Sequence, residues 1–356
     1  MPSTDSKARR AVGVALWCLA SLFLAAGLGC AALGVRHILE TAVSDRSFVR
    51  RTAEMEVLQP RAARWRVGVI GDSRGNDEVF GKALKMMAER QVDVIFFLGD
   101  MVPHPSEAMF SHFVAEVAEA TVDCPGIGGI YFVPGNHDSD DHTGLALYQK
   151  YFGRAYHAIR LGRAIFILIN NENKDLDAAQ RAWILQKLDQ AAAEKLDAYL
   201  CMHFPPHGSG VKKDDLKEEA SAFIAQAVRS HPAVRMILAS HLHGYARGSF
   251  AGVPVVVTGG GGAPLDKLPG SEFNFVVLDE EDAAGAAVSY VPIPDPDGSL
   301  RVWGRRLFLL ESQPAHIYWG GAVLGALPLA VLVIRRRRRA RVGEPAAQAA
   351  GPKPEP

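Results

Sequence analysis

Residues 129–138 read Gly-Ile-Tyr-Phe-Val-Pro-Gly-Asn-His-Asp, an apolar run of β-branched and aromatic side chains that ends in Asn136, His137 and Asp138. Four more apolar runs end the same way, in Gly71-Asp72-Ser73-Arg74, Gly99-Asp100-Met101, Met202-His203-Phe204-Pro205-Pro206 and Ser240-His241-Leu242-His243. Short apolar runs followed by turn residues read as buried strands. Polar clusters therefore fall at strand ends, where open α/β sheets gather their ligands. Carboxylates, an amide and imidazoles in that position form a metal-ligand inventory.

Working outward, strands are predicted over 66–70, 93–98, 129–133, 164–169, 198–202, 234–239, 253–258 and 273–278. Helical periodicity fills 77–90, 107–120, 177–194 and 216–229. This alternation predicts a sheet covered by helices. From Ala246 onward strand follows strand without a helix, which suggests a second sheet packed on the first.

The chain carries 39 basic and 39 acidic residues, so nothing in its charge argues for a nucleic-acid partner, and none is expected. The apolar residues are unevenly placed. No charged side chain occurs between Ala11 and Val35, and 315–334 contains only His316 before the basic block Arg335 to Arg339. Runs of about 20 residues suffice to cross a hydrocarbon core of about 30 Å. Both are read as transmembrane helices, with Lys7, Arg9, Arg10 and the arginine block holding both termini in the cytoplasm. The chain then divides into a cytoplasmic N-terminus (1–10), a span (11–35), a juxtamembrane linker (36–64), an extracytoplasmic domain (65–304), a linker (305–314), a second span (315–334) and a basic disordered tail (335–356). A cleaved signal peptide and lipidation at Cys30 are the alternatives at the N-terminal end. Gly321 and Gly325 have the spacing that lets membrane helices approach closely. Cys124 and Cys201 allow one disulfide, although a buried thiol at Cys201 fits its apolar surroundings.

Taken in order, the five clusters resemble the calcineurin-like metallophosphoesterases, with features of their purple acid phosphatase branch. The closest wording lies in 132–138, in His203-Phe204-Pro205-Pro206, and in 241–247 followed by Gly259 to Gly262. The resemblance implies an α/β (α+β) fold, a four-layer αββα sandwich of two mixed β-sheets flanked by helices. It also implies two divalent metal ions, of manganese, zinc or iron. Asp100 would bridge them, Asp72 and His243 would hold the first, and Asn136, His203 and His241 the second. A hydroxide between the ions would attack phosphorus in line. His137 would touch the phosphoryl group or protonate the leaving group, with Asp138 orienting it. The implied activity is hydrolysis of a phosphomonoester or phosphodiester, on a phosphorylated small molecule or a lipid-linked substrate at the membrane.

Two departures stand out. The family's first motif offers a histidine two residues after its aspartate, where this chain has Arg74, which has no lone pair and cannot ligate a cation. Either Arg74 clamps the substrate phosphate, as a catalytic residue beside His137 and Asp138, or the first metal site is degraded. The clamp is favoured because a guanidinium among cations needs an anion to offset it. The segment Met101-Val102-Pro103 also lacks the tyrosine of a ferric purple centre. His104 is a candidate to replace the missing ligand, His207 is within reach of the site along the chain, and Gly259 to Gly262 form either a phosphate cradle or a tight turn. A non-catalytic phosphate or metal sensor that signals through its spans is the reading from another class.

Overall fold

The computed structural model describes residues 14–29, 31–32, 54–121, 126–142, 144–213, 216–268, 271–281, 285–295 and 331. The chain divides into two compact units, one of 1–38 with 309–356 and one of 39–308. In the first, residues 14–29 form helix α1, on which Val14, Leu16, Leu19, Leu22, Phe23 and Leu28 are exposed. Among the described residues no helix is long and apolar enough to cross a membrane. Of the expected span 11–35, the described residues are 14–29 and 31–32, all of them helical. The second expected span, 315–334, lies outside the described residues apart from Val331, as do Cys30 and Cys124.

The second unit runs β1 (Met55–Leu58), β2 (Arg66–Ile70), α2 (Asp77–Glu89), β3 (Val94–Leu98), α3 (Glu107–Thr121), β4 (Ile130–Val133), α4 (Ala146–Phe152), β5 (His157–Leu161) and β6 (Ala164–Ile169). It continues through α5 (Ala178–Glu194), β7 (Asp197–Met202), α6 (Glu218–Ser230), β8 (Val234–Ala239), β9 (Tyr245–Phe250), β10 (Val253–Thr258), β11 (Asn274–Glu281) and β12 (Gly285–Pro292). Two mixed sheets result, one ordered β1-β5-β6-β7-β8-β10-β9 and the other β12-β11-β2-β3-β4.

Side-chain alternation builds the layers. In β3 and β4, Phe96, Leu98, Tyr131 and Val133 face the other sheet, where they meet Phe166 and Leu168 of β6 and Tyr199 and Cys201 of β7. The opposite faces, Ile95, Phe97, Ile130 and Phe132, pack against Phe80 and Leu84 of α2, Phe110 and Phe113 of α3, and Phe152 of α4. Likewise Ile165, Ile167 and Ile169 turn toward Trp183, Ile184 and Leu188 of α5 and Ile224 of α6. A strand apolar on both faces is therefore buried on both faces. Side-chain caps start two of the helices, Asn76 accepting from the Val79 amide at 3.4 Å and Asp177 from the Gln180 amide at 2.7 Å.

The segment after Ala246 does not form a sheet of its own. β9 and β10 complete the seven-stranded sheet through parallel pairing of β10 with β8, while β11 runs antiparallel to β2 in the other sheet. The reason is register. Val255 and Val257 continue the helix-side face begun by Ile237 and Ala239, whereas Phe275 and Val277 continue the face of Ile70. Elements β1, β5, β9, β12 and α4 were not predicted, and β1, inside the stretch read as a linker, pairs in parallel with β5.

Between the sheets His157 is 1% exposed, its ring 6.2 Å from that of Tyr131. Burial pushes its pKa down to about 3. Because the folded value lies below the unfolded value near 6.5, the unfolded chain alone takes up the proton as pH falls, and stability declines through that window. Relative to His157→Leu, the native protein should lose about 2 kcal/mol of unfolding free energy between pH 8 and pH 5. Urea unfolding at the two pH values measures it, and parallel losses in both proteins would refute it.

Candidate metal centre

The turns that follow β2, β3, β4, β7 and β8 meet at one end of the two sheets. Asp72 and Asp100 are fully buried and lie in left-handed backbone at φ 59°, and His241 has φ 68°. Backbone bonds fasten the first two turns together, with the amides of Asp72, Arg74 and Gly75 donating to the carbonyls of Gly99, Asp100 and Met101. Side chains larger than hydrogen would block this convergence. A Cβ on Gly135 would come within 2.3 Å of Asp100 Oδ1, and one on Gly259 within 2.7 Å of Asp72 Oδ2. Gly259 to Gly262 are thus a close-packed floor under Asp72, with the Gly261 amide donating to Gly71 and the Ala263 amide to Asp72.

Around Asp100 the candidate residues fall into two groups. In one, His203 Nε2 lies 3.5 Å from Asp100 Oδ1 and 3.1 Å from Asn136 Oδ1, and the His241 ring is 5.2 Å from that of His203. In the other, His243 Nε2 lies 3.4 Å from Asp72 Oδ1, and neither atom has a hydrogen-bond partner. His203 Nδ1 lies 2.8 Å from the Leu98 carbonyl, and His243 Nδ1 lies 2.7 Å from that of Pro264. A carbonyl only accepts, so each Nδ1 carries a hydrogen, and in the neutral ring each Nε2 presents a lone pair to oxygens that are themselves acceptors. Electron-rich atoms facing one another in a buried site are what a cation satisfies. Imidazoles fixed by carbonyls on their far side are the usual support for metal ligands. The residues present therefore fit divalent metal ions.

The other oxygen of Asp72 is held by the Ser240 hydroxyl and, at 2.9 Å, by the His241 amide. Burial opposes ionisation of Asp72, but His243, His203 and Ser240 outweigh it and hold the carboxyl well below its usual range. Burial likewise opposes the charge of His243, yet the Asp72 carboxylate beside it prevails and raises its pKa, with Arg74 working against the rise.

Arg74 sits within this centre. Its Nε and Nη2 both reach Asp100 Oδ2, at 3.2 and 2.9 Å, and its side chain is 22% exposed. His104, considered above as a replacement ligand, is exposed, and His207 is a surface residue 3.9 Å from Glu218. His112, unassigned from sequence, pairs with Asp77 at 2.9 Å between α2 and α3, where Glu116 joins them.

The expectation that Asp138 orients the His137 ring does not match the geometry. His137 Nδ1 instead meets the Pro103 carbonyl at 2.7 Å, and its amide donates to Asp100 Oδ1 at 2.9 Å. Asp138, fully buried, accepts from four backbone amides, those of Asp100 at 2.7 Å, Gly135 at 2.9 Å, Met101 at 3.0 Å and Val102 at 3.3 Å. Burial and then the charge of Asp100 push the Asp138 carboxyl up, against the amides of Gly135, Val102 and Asp100, which favour the anion.

Three supporting residues were not predicted. Ser240 binds Asp72, and Asp266 accepts from the His243 amide at 2.9 Å. Asn171 accepts from the amides of His203 and Phe204, at 3.1 Å each, and donates to the Phe204 carbonyl at 2.9 Å. Asn171 follows the end of β6, so the strand-end rule that found the other residues also pointed to it.

A family model described as calcineurin-like phosphoesterase matches residues 66–245, half of the chain. The protein belongs to the calcineurin-like phosphoesterase family, and the family and its neighbours support a metal-dependent phosphoester hydrolase in general terms. It is 33% identical over 95 residues to a protein named "Probable cyclic nucleotide phosphodiesterase" from Pseudoalteromonas sp. (strain SM9913), a match covering 27% of this chain and 34% of that one. The chain thus spans about a third of the length of that curated relative. Among solved structures, the purple acid phosphatase from yellow lupin (Lupinus luteus) seeds superposes with a TM-score of 0.51 at 17% identity, over 66% of this chain and 53% of that one. A dimetal phosphatase from Danio rerio gives a TM-score of 0.47 at 14% identity, over 64% and 99%.

Asp138→Ala leaves buried amide donors unmet, at about 1–3 kcal/mol each. It should lower unfolding free energy by at least about 3 kcal/mol, whereas His137→Ala stays within about 1 kcal/mol of native. Urea denaturation of both variants decides this, and equal effects would return Asp138 to a role beside His137.

Proposed function

We propose that this protein is a membrane-anchored, metal-dependent phosphoesterase that hydrolyses a phosphomonoester or phosphodiester. The observation that carries this reading is the inward convergence of Asp72 Oδ1, Asp100, His203 Nε2 and His243 Nε2, with both imidazoles tied to carbonyls on their far side. On this reading Asp72 and His243 would hold one ion and Asn136, His203 and His241 another, with Asp100 shared between the two groups. Such ions supply Lewis acidity toward the phosphoryl oxygens and an activated water for in-line displacement. Arg74 offers the phosphoryl group a planar pair of donors. His137, with Nδ1 committed to Pro103, has Nε2 left to serve as proton donor to the leaving group. Manganese, zinc and ferrous iron all suit oxygen and imidazole ligands.

The substrate is a phosphorylated small molecule or a lipid-linked phosphate, and the named activity of the Pseudoalteromonas relative favours the diester class. Anchoring through 11–35 and 315–334, with both termini cytoplasmic and the domain outside, rests on the charge pattern and on the exposed apolar side chains of α1. The ion pair between Arg74 and Asp100 favours a second reading, a phosphate or metal sensor without turnover.

Hydrolysis of a chromogenic phosphomonoester and a chromogenic phosphodiester by the full-length chain in detergent, with added manganese, separates the two. We expect turnover of at least one ester, reduced at least 100-fold in Asp100→Asn. No turnover with any divalent metal would favour the sensor. A reporter active only in the cytoplasm, fused after Pro356, should be active, and silence would overturn the proposed orientation.

A further inference from the structure

Arg74 is a permanent cation inside a cation site. Arg74 does not reach the centre by chance of rotamer. Its amide donates to the Asp100 carbonyl at 3.1 Å, the next amide donates to Met101 at 3.2 Å, and its own backbone is left-handed at φ 44°. The main chain thus aims the side chain at Asp100, whose Oδ2 accepts from both Nε and Nη2. The other oxygen is engaged from the opposite side, by the His137 amide and the approach of His203.

Charge counting gives this placement a consequence. The carboxylates that face the centre are Asp72 and Asp100, since Asp138 spends both oxygens on backbone amides behind it. With Arg74 paired to Asp100, one net negative charge remains for incoming cations. A single dication leaves a small surplus. A second, seated beside a guanidinium in a buried site, meets strong repulsion that little water is present to screen. A phosphate dianion relieves it, and its oxygens match the fork of a guanidinium as well as a carboxylate does. Arg74 is also the more exposed partner of its ion pair, so an anion arriving from solution meets it before it meets Asp100.

We propose that Arg74 makes the centre load in order. One ion seats in the resting protein beside His203 and Asn136, and the ion of Asp72 and His243 enters with the phosphate that draws the guanidinium off Asp100. This rests on the metal-dependent reading above.

The test is the manganese stoichiometry of the metal-free, full-length chain, read by calorimetry and by the exchange-coupled spin-resonance signal that only a pair of ions gives, with and without inorganic phosphate. The native chain should bind one ion without phosphate, and phosphate should bring in a second with at least a tenfold gain in affinity. Arg74→Gln, without the charge, and Arg74→His, with a ligand restored, should bind two ions with or without phosphate. Two ions in the native chain without phosphate, or one at saturating phosphate, overturns the proposal on the native protein alone, whatever becomes of the variants. One ion in both variants overturns it as well. If the native chain binds two ions and still hydrolyses the chromogenic esters, only the ordered loading fails. If it binds no ion, this proposal and the metal-dependent reading fail together.

Discussion

The carboxylate of Asp138 is the tie on which the centre depends. It takes four backbone amides from two separate turns, those after β3 and β4, and thereby fixes where Asp100, Asn136 and His137 stand relative to one another. None of those amides lies where a sheet ladder could satisfy it, so each would otherwise be a buried donor without an acceptor. One side chain replaces what several residues of regular structure would do. That is how chemistry can be carried on turns while the backbone stays saturated.

The tie is backed by strands that are packed tightly against one another. The core between the sheets is aromatic and interlocked. Phe166 stacks on Tyr199 at 4.9 Å, meets Phe96 at 4.7 Å and meets Trp65 edge-on at 5.4 Å. Asp72, Asp100 and Asn136 follow strands of one sheet, while His203, His241 and His243 follow strands of the other. The site is thus assembled across that core, and its geometry is only as rigid as the packing between sheets. Ser240, Asn171 and Asp266 extend the same logic outward, each fixing a backbone or carboxylate atom of a neighbour that faces the centre.

The central strands and the longer helices were legible because both leave strong periodic signals. β3 is apolar at every position, and α2 repeats its buried residues at Val79, Phe80, Ala83, Leu84 and Met87. The elements that escaped are short or lie toward the edges, where one face meets solvent and the apolar signal thins. β9 reads Tyr-Ala-Arg-Gly-Ser-Phe and α4 has seven residues. Within the site, residue types at strand ends pointed to the cluster itself. What could not be read was the direction of a side chain in a turn. Asp138 adjoins His137 in sequence yet points toward the turn of Asp100, and Arg74 adjoins an expected ligand site yet faces its carboxylate.

Backbone handedness sets what these positions can become. At Asp72 and Asp100 the chain stands where only glycine is at ease and where asparagine and aspartate, with short polar side chains, are the best of the rest. Asparagine keeps the fold of the turn and surrenders the charge, glycine keeps the turn and surrenders the ligand, and glutamate keeps the charge while displacing it by a methylene and straining the turn. The customary ranking of substitutions by chemical kinship is inverted here. The acid that looks closest is the more disruptive neighbour, and the amide is the gentlest probe that evolution or an experimenter has available.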